Sequence, residues 1–221
     1  MRLFLIRHGQ TPSNVAGLLD TRIPGPGLTD LGHEQAAQIP DALRAQPIDG
    51  IWVSIMGRTS DTAAPLAEDR GLTPVELAGF HEIAAGDLEM RSDHPSVMTY
   101  LQTAFAWGVD DLDPRMPGGE DGHEFFARFD ASIAQVFATG ARVAVVFSHG
   151  AAIRVWSALR SKNVKPPFTG DWELHNTGVV ELDGDPETGW TLLSWQGTPI
   201  GGIELEDDAA EDPTGEPVPD S

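Results

Sequence analysis

Short apolar runs alternate with amphipathic stretches along most of the chain. Strand-like runs lie at residues 3–6, 48–53, 74–77 and 142–147, and the first of them is apolar at every position. This pattern is typical of strands buried on both faces of a sheet. Between and after these runs, apolar residues at helical spacing predict helices over residues 29–43, 59–69, 95–107, 125–137 and 151–159. The alternation predicts parallel strand pairing with right-handed crossovers.

The region after residue 170 has a different pattern. Two strand-like segments, at residues 177–182 and 190–195, face each other across a turn-rich stretch at residues 183–189. Such spacing predicts an antiparallel hairpin at the edge of the sheet. The predicted fold is therefore of the α/β class: a three-layer α/β/α sandwich with a mostly parallel central sheet and an antiparallel edge strand.

Two of the predicted helices carry clear signals at their first turns. Thr29 precedes the first of them and predicts an N-cap, and Asp121 with Glu124 predicts a capping box ahead of residues 125–137. In that second helix Phe125, Phe129, Ile133 and Phe137 recur every four residues. We expect this row to pack into the core.

Composition limits the classes of partner. The chain has 221 residues, no cysteine and a formal charge of −20, from 34 acidic and 14 basic residues. Such an excess of acid argues against nucleic acid as a partner, because phosphates bind a basic face. The absence of cysteine excludes thiolate metal sites and fits a reducing compartment. No apolar run has the length of a membrane span, so we expect a cytoplasmic protein without a membrane partner.

The negative charge is concentrated at the C-terminal end. Eight acidic residues and no lysine or arginine follow Ile203. Because this stretch has little apolar content and several prolines, it predicts an acidic disordered tail over residues 204–221, which follows a catalytic domain of residues 1–203.

Candidate chemistry lies where strands end. Arg7 and His8 follow the first strand, and Ser148, His149 and Gly150 follow the fourth. Ligands bind at the carboxyl ends of strands in open α/β sheets. There a neutral histidine can attack an electrophile while an arginine fork holds its oxygens. Arg58 follows the second strand, so these side chains together predict phosphoryl transfer.

Four ordered motifs carry a resemblance to a known family. They are R-H-G-x-T-x-x-N at residues 7–14, S-x-x-x-R-x-x-x-T-A at 54–63, E-x-x-x-G-D-x-E at 82–89 and S-H-G at 148–150. Over residues 1–200 the chain resembles the histidine phosphatase superfamily, also called phosphoglycerate-mutase-like, in its phosphatase branch. The flanks of Arg58 differ from the usual pattern of that family.

The resemblance implies a role for each matching residue. His8 would become a phosphohistidine, while Arg7, Arg58 and a protonated His149 would stabilise the transferred group. Glu82 would serve as general acid and base, with Asp87 and Glu89 as nearby rivals. The predicted substrate-binding residues are Gly9, Gln10, Thr11, Asn14, Thr21, Arg22 and Gly150. The usual Gln-Gly before Arg22 is replaced by Asp20-Thr21, so the resemblance does not identify the substrate.

The resulting prediction is a phosphatase, a phosphoric monoester hydrolase that acts on a small phosphorylated metabolite without a metal or other cofactor. A cofactor-dependent phosphoglycerate mutase is an alternative. It is less favoured because the irregular stretch at residues 79–119 has few cations, chiefly Arg91 and Arg115. A non-catalytic phospholigand-binding module and a metallohydrolase are further alternatives. The edge hairpin allows a possible homodimer.

Overall fold

The computed structural model describes residues 1–165, 172–207, 209–210 and 212–216. It has a single six-stranded sheet in the order β3-β2-β4-β1-β5-β6. The strands are β1 (Arg2–Arg7), β2 (Gly50–Val53), β3 (Val75–Glu76), β4 (Val143–Ser148), β5 (Val179–Asp185) and β6 (Gly189–Gln196). Strands β1 to β4 pair in parallel, whereas β5 is antiparallel to both β1 and β6. The predicted mostly parallel sheet with an antiparallel edge is confirmed.

Helices cover both faces of the sheet. They are α1 (Pro12–Val15), α2 (Asp30–Ala37), α3 (Ile39–Ala42), α4 (Gly57–Arg70), α5 (His94–Trp107), α6 (Gly122–Ala138) and α7 (Gly150–Arg160). On β1, Leu3 and Leu5 face one apolar cluster while Phe4 and Ile6 face the other. Because successive side chains of a strand point to opposite faces, this alternation places β1 between the two outer layers.

The structure differs from the sequence pattern in two helices. The helix predicted over residues 29–43 is two helices, α2 and α3, which meet at Gln38. Pro40 lies in the first turn of α3, where its missing N–H costs least, and it therefore favours a new helix start. In α6 the predicted row of buried side chains ends early, because Phe137 is 40% exposed. Its position in the last turn carries it beyond the core.

The predicted helix caps are present. The Thr29 side chain accepts a hydrogen bond from the backbone N–H of Gly32 at the start of α2. Asp121 and Glu124 form the reciprocal capping box of α6. These caps satisfy backbone donors that have no partner within a helix.

Some of the described residues of the predicted acidic tail contact the domain, among them Asp207 and Asp212. A short 3-10 helix spans Ile203–Leu205, and Asp212 is buried. Residues 208, 211 and 217–221 of that tail lie outside the described residues. The domain boundary at residue 203 stays a prediction.

Candidate active site

The β1–β4 ladder brings two histidines together. Arg7 pairs with Ser148 at the carboxyl ends of the two strands, and His8 and His149 follow directly. The backbone N–H of His8 donates to the Ser148 carbonyl at 3.1 Å. The two imidazole rings lie 5.2 Å apart between centroids. Residues that are distant in sequence are therefore adjacent because their strands are hydrogen-bonded neighbours.

The loop after His8 is fixed by backbone contacts. The N–H of Gly9 donates to the Thr62 hydroxyl at 2.9 Å, and the N–H of Gln10 donates to the Gln35 side chain at 2.8 Å. A Cβ on Gly9 would lie 2.6 Å from the carbonyl oxygen of Gly32. Only glycine permits such a close approach of two backbones.

His8 has one ring nitrogen committed and one available. Its Nδ1–H donates to the carbonyl oxygen of Gly9 at 2.8 Å, which leaves the lone pair on Nε2. Burial, together with the charges of Arg58 and Arg7, holds the pKa of His8 well below its ordinary value of 6.5. His8 is therefore neutral at physiological pH, as a nucleophile must be.

His149 is also neutral in this arrangement. The Nε–H of Arg58 donates to its Nδ1 at 3.3 Å, so the ring proton is on Nε2, which donates to the Ser54 hydroxyl at 2.8 Å. Burial and the nearby charge of Arg58 hold the pKa of His149 well below 6.5. In this state His149 accepts a hydrogen bond from Arg58, and its role as an additional, protonated cation stays a prediction.

Arg58 spans the site from the first turn of α4. Its Nη2 donates to the carbonyl oxygen of Asp20 at 3.0 Å, and the residue is 3% exposed. Burial lowers the pKa of Arg58, and Glu82 and Asp20 oppose that shift. The guanidinium thus places a positive charge among buried groups close to His8.

Glu82 lies at the N-terminus of α7. Its Oε1 accepts hydrogen bonds from the N–H groups of Ile83 and Ala152, both at 2.8 Å, and its Oε2 accepts one from Ala151 at 3.1 Å. Burial raises the pKa of Glu82 above 4.5 even though these donors and Arg58 act to lower it. Since Oε1 accepts two hydrogen bonds and Oε2 only one, Oε2 is the better position for a proton.

Several of the predicted residues line one small cavity. It is lined by His8, Thr11, Ser13, Asn14, Leu18, Leu19, Asp20, Thr21, Arg58, Glu82 and Thr214. The rival acids Asp87 and Glu89 are absent from this lining. Glu89 instead accepts hydrogen bonds from the N–H and hydroxyl of Thr21 at 2.9 and 2.5 Å, so it holds the loop at the cavity mouth.

Other predicted residues face elsewhere. Arg22 is exposed, and its backbone N–H donates to Glu89. The Gln10 side chain donates to Asp207 at 2.9 Å, outside this cavity. Asn14 lines the cavity and also forms a reciprocal cap with Thr11. Gly150 lies beside Thr214, because a Cβ there would be 2.7 Å from the Thr214 carbonyl oxygen.

Arg7 contacts the C-terminal segment. Its Nη2 lies 2.5 Å from Asp212 Oδ2 and donates to the Thr214 hydroxyl at 2.9 Å, while its Nη1 donates to the Leu174 carbonyl at 2.8 Å. The side chain is fully buried. No sequence motif marked Asp212 or Thr214, because both come from the stretch predicted to be disordered.

Sequence reasoning also missed Arg128, on α6. Its Nη1 donates to the carbonyls of Gly79 and His81, both at 2.8 Å, and its Nη2 donates to that of Glu82 at 3.2 Å. The same guanidinium forms two hydrogen bonds with the Glu120 carboxylate, at 2.8 and 2.6 Å. Arg128 therefore fixes the loop that carries Glu82.

Two features are absent from the described residues. They contain no group of three or more histidine, aspartate or glutamate side chains that could hold a metal ion. No helix among them is both long and apolar enough to cross a membrane. The cytoplasmic location stays a prediction.

Comparison with known proteins identifies the family. The family model described as histidine phosphatase superfamily (branch 1) matches residues 3–198. The chain belongs to this superfamily. A PE-PGRS family protein of Mycobacterium tuberculosis is 41% identical over 216 residues, which is 90% of this chain and 37% of that protein. The chain thus spans little more than a third of that relative.

Two further similar proteins are named for different activities. The structure of a mycobacterial glucosyl-3-phosphoglycerate phosphatase with VO3 has a TM-score of 0.72 and 27% identity, and it covers 88% of this chain and 98% of that one. A probable phosphoglycerate mutase of Enterobacter is 28% identical over 201 residues, 88% of this chain and 90% of that protein. The superfamily membership agrees with the ordered motifs. One of these two relatives is named as a phosphatase and the other as a probable mutase.

Proposed function

We propose that this superfamily member is a phosphatase that hydrolyses a small phosphomonoester through a phosphohistidine on His8. The observation that carries the proposal is the state of that ring. The Nδ1–H of His8 donates to the Gly9 carbonyl, and His8 lines one cavity together with Arg58 and Glu82. Nucleophile, cation and acid are the three parts that the reaction needs.

The proposed reaction has two steps. In the first, the Nε2 lone pair of His8 attacks phosphorus, the bond from phosphorus to the leaving oxygen breaks, and Glu82 gives its proton to that oxygen. In the second, water attacks phosphorus and gives a proton to the Glu82 carboxylate. The bond from phosphorus to Nε2 then breaks, its electron pair returns to the ring, and inorganic phosphate leaves. One acid serves both steps.

Arginine would stabilise the transferred group. Arg58 offers a planar fork whose geometry matches phosphoryl oxygens, and it lies in the wall of the cavity. Charge that spreads over those oxygens in the transition state is stabilised by such fixed donors. We propose the same role for Arg7, which requires it to exchange Asp212 for the phosphoryl group. The proposed reaction uses no metal or other cofactor.

Surface pairing of the nearby cations favours the phosphatase over the mutase. A mutase must retain a doubly phosphorylated intermediate, which needs further positive charge near the site. Arg91 pairs with Asp93, and Arg115 pairs with Asp121 and Glu124, on exposed side chains that do not line the cavity. The cavity wall instead contains the acidic Asp20.

The test is phosphate release from a panel of small phosphomonoesters. We expect turnover by the wild type, unchanged by EDTA, and loss of turnover in His8→Ala with an unchanged circular dichroism spectrum. His33→Ala, at an exposed position on α2, is the matched control. Rapid quenching under alkaline conditions should trap a labelled phosphohistidine in the wild type and in His33→Ala but not in His8→Ala.

Three results would contradict the proposal. Turnover by His8→Ala within tenfold of wild type would exclude His8 as the nucleophile. Activity lost to EDTA and restored by a divalent metal would indicate a metallohydrolase. Consumption of a phosphoglycerate without release of inorganic phosphate would indicate the mutase.

A further inference from the structure

The C-terminal segment occupies the guanidinium of Arg7. We use the name C-terminal strap for residues 206–207, 209–210 and 212–216. Within it, Asp212 pairs with Arg7 at 2.5 Å and is nearly as buried, with 8% of its side chain exposed. The Thr214 hydroxyl accepts a hydrogen bond from the same Nη2 atom. The atom that a phosphoryl oxygen would need is therefore already bound by this chain's own oxygens.

A second buried arginine holds the same segment. Nη1 of Arg154, on α7, donates to the carbonyl oxygens of Thr214 at 3.0 Å and Glu216 at 2.9 Å. Burial and the charge of Arg7 lower the pKa of Arg154 to about 9, and Asp212 opposes that shift. The strap thus places an acid where two guanidinium groups lie close together, which offsets their mutual repulsion.

Two glycines allow this close approach. A Cβ on Gly150, the first residue of α7, would lie 2.7 Å from the Thr214 carbonyl oxygen. A Cβ on Gly215 would lie 2.2 Å from Nη1 of Arg7. The N–H of Leu174 also donates to the Gly215 carbonyl at 2.7 Å. Both sides of the contact therefore lack the side chains that would keep the strap away from the site.

The strap also has contacts nearer its start. Asp207 accepts a hydrogen bond from Gln10 in the loop after His8, and Glu206 lies 3.2 Å from Nε2 of His175. At the other end, Thr214 lines the cavity that contains His8, Arg58 and Glu82. The described residues of the strap therefore contact both the loop after His8 and the cavity wall.

A carboxylate and a phosphoryl group compete for the same donor atoms. Both bind a guanidinium fork through charge-assisted hydrogen bonds. We infer that the C-terminal strap is an internal competitive ligand: Asp212 holds Arg7 in the free protein, and the phosphoryl group of the substrate displaces it. This inference rests on the proposed function, because it takes the phosphoryl group to bind at Arg7.

The direct test uses full-length Asp212→Asn, which keeps the shape of the side chain and removes its charge. Glu204→Gln, an exposed acid just before the strap, is the matched control. If the strap occupies Arg7 in about nine molecules of ten, its release should lower KM for p-nitrophenyl phosphate and Kd for vanadate by about tenfold. We expect kcat to change less than about twofold and the control to match wild type.

A second measurement needs no variant. Hydrogen exchange at the amide of Leu174, whose N–H donates to the Gly215 carbonyl, should accelerate when inorganic phosphate saturates the wild-type protein, because the displaced strap takes this acceptor away. Slower exchange with phosphate would show that the strap closes over bound ligand, and it would overturn the inference. A higher KM or unchanged vanadate affinity in Asp212→Asn would overturn it as well.

Failure of the proposed function is distinguishable from failure of this inference. Vanadate affinity is measured by calorimetry without turnover. A chain that hydrolyses no phosphomonoester but binds vanadate more tightly as Asp212→Asn would refute the phosphatase and support the competing strap. A chain that turns over substrate with identical KM and Kd in both forms would do the reverse.

Discussion

At the scale of single residues, the site is defined by where protons lie. Arg58 can only donate, so its contact with Nδ1 of His149 fixes that ring as the Nε2–H form. The Gly9 carbonyl fixes His8 as the opposite tautomer. Glu82 is the one buried acid that lines the cavity among the three rivals in its motif. Its proposed role as proton donor leads to two predictions.

The first prediction concerns the leaving group. Glu82→Gln keeps the side-chain shape and removes the proton, so it should slow phosphoryl transfer from an alkyl phosphate by about 100-fold or more. Transfer from p-nitrophenyl phosphate, whose leaving group departs without a proton, should slow by less than about tenfold. Single-turnover measurement isolates this step from the later hydrolysis. Equal losses on both substrates would show that a residue other than Glu82 is the general acid.

The second prediction concerns pH. Because burial raises the pKa of Glu82, its acid form persists above pH 4.5 and is lost as the pH rises through the raised value. Because the pKa of His8 is held well below 6.5, its neutral form persists into acid solution. We therefore expect kcat/KM for an alkyl phosphate to be greatest in mildly acid solution and to fall on the alkaline side.

The control for the pH profile is Glu82→Gln with the same substrate. The substrate itself titrates near pH 6, and the ratio of the two profiles removes that contribution. The kcat/KM of the wild type divided by that of Glu82→Gln should decline as the pH rises. A constant ratio would show that Glu82 is not titrating in the reaction.

At the scale of elements, α6 positions the loop that carries Glu82. Arg128 connects this helix to three backbone carbonyls of that loop, those of Gly79, His81 and Glu82, and to the Glu120 carboxylate. The guanidinium is 17% exposed and Glu120 is 13% exposed. A nearly buried pair of this kind leaves several carbonyls and a carboxylate without donors if the arginine is removed.

The third prediction follows from that pair. Arg128→Met should lower the free energy of unfolding in urea by about 3 kcal/mol or more. As a positioning residue, Arg128 should also alter the ratio of alkyl to p-nitrophenyl phosphate turnover, because a loosened loop moves Glu82. Arg160→Met is the control. It removes the ion pair between Arg160 on α7 and Asp130 on α6. The control should lower the free energy of unfolding and leave the ratio of alkyl to p-nitrophenyl phosphate turnover unchanged. A changed ratio in the control would contradict a specific positioning role for Arg128.

At the scale of the whole molecule, the sequence predicted those features that a local pattern of residues encodes. The all-apolar runs at residues 3–6 and 143–147 identified β1 and β4, and two residues that come shortly after them, His8 and His149, are brought together. The contacts of Arg128 and Asp212 leave no such pattern, because each depends on a partner far along the chain. Helix periodicity likewise could not show that Phe137 passes beyond the core. The substrate-binding roles of Arg22 and Gln10 stay predictions.

The fourth prediction concerns the stability of the folded protein with an anion bound. A ligand that binds only the native state at about 100 times its Kd stabilises it by about 2.7 kcal/mol. Vanadate should therefore raise Tm at a fixed protein concentration, and EDTA should leave the shift unchanged. Arg58→Met should abolish most of the shift. An equal shift in that variant would place the anion elsewhere on the protein.

The β1–β4 ladder has a consequence for how the protein loses its geometry on heating. His8 directly follows β1, and His149 directly follows β4. These two strands are hydrogen-bonded neighbours in the middle of the sheet. Core strands open only with the whole molecule, whereas loops and termini open locally at much lower free energy. The two imidazoles cannot separate by a local fluctuation of a loop. Their spacing is therefore as durable as the fold itself, and it belongs to the last part of the native structure to melt.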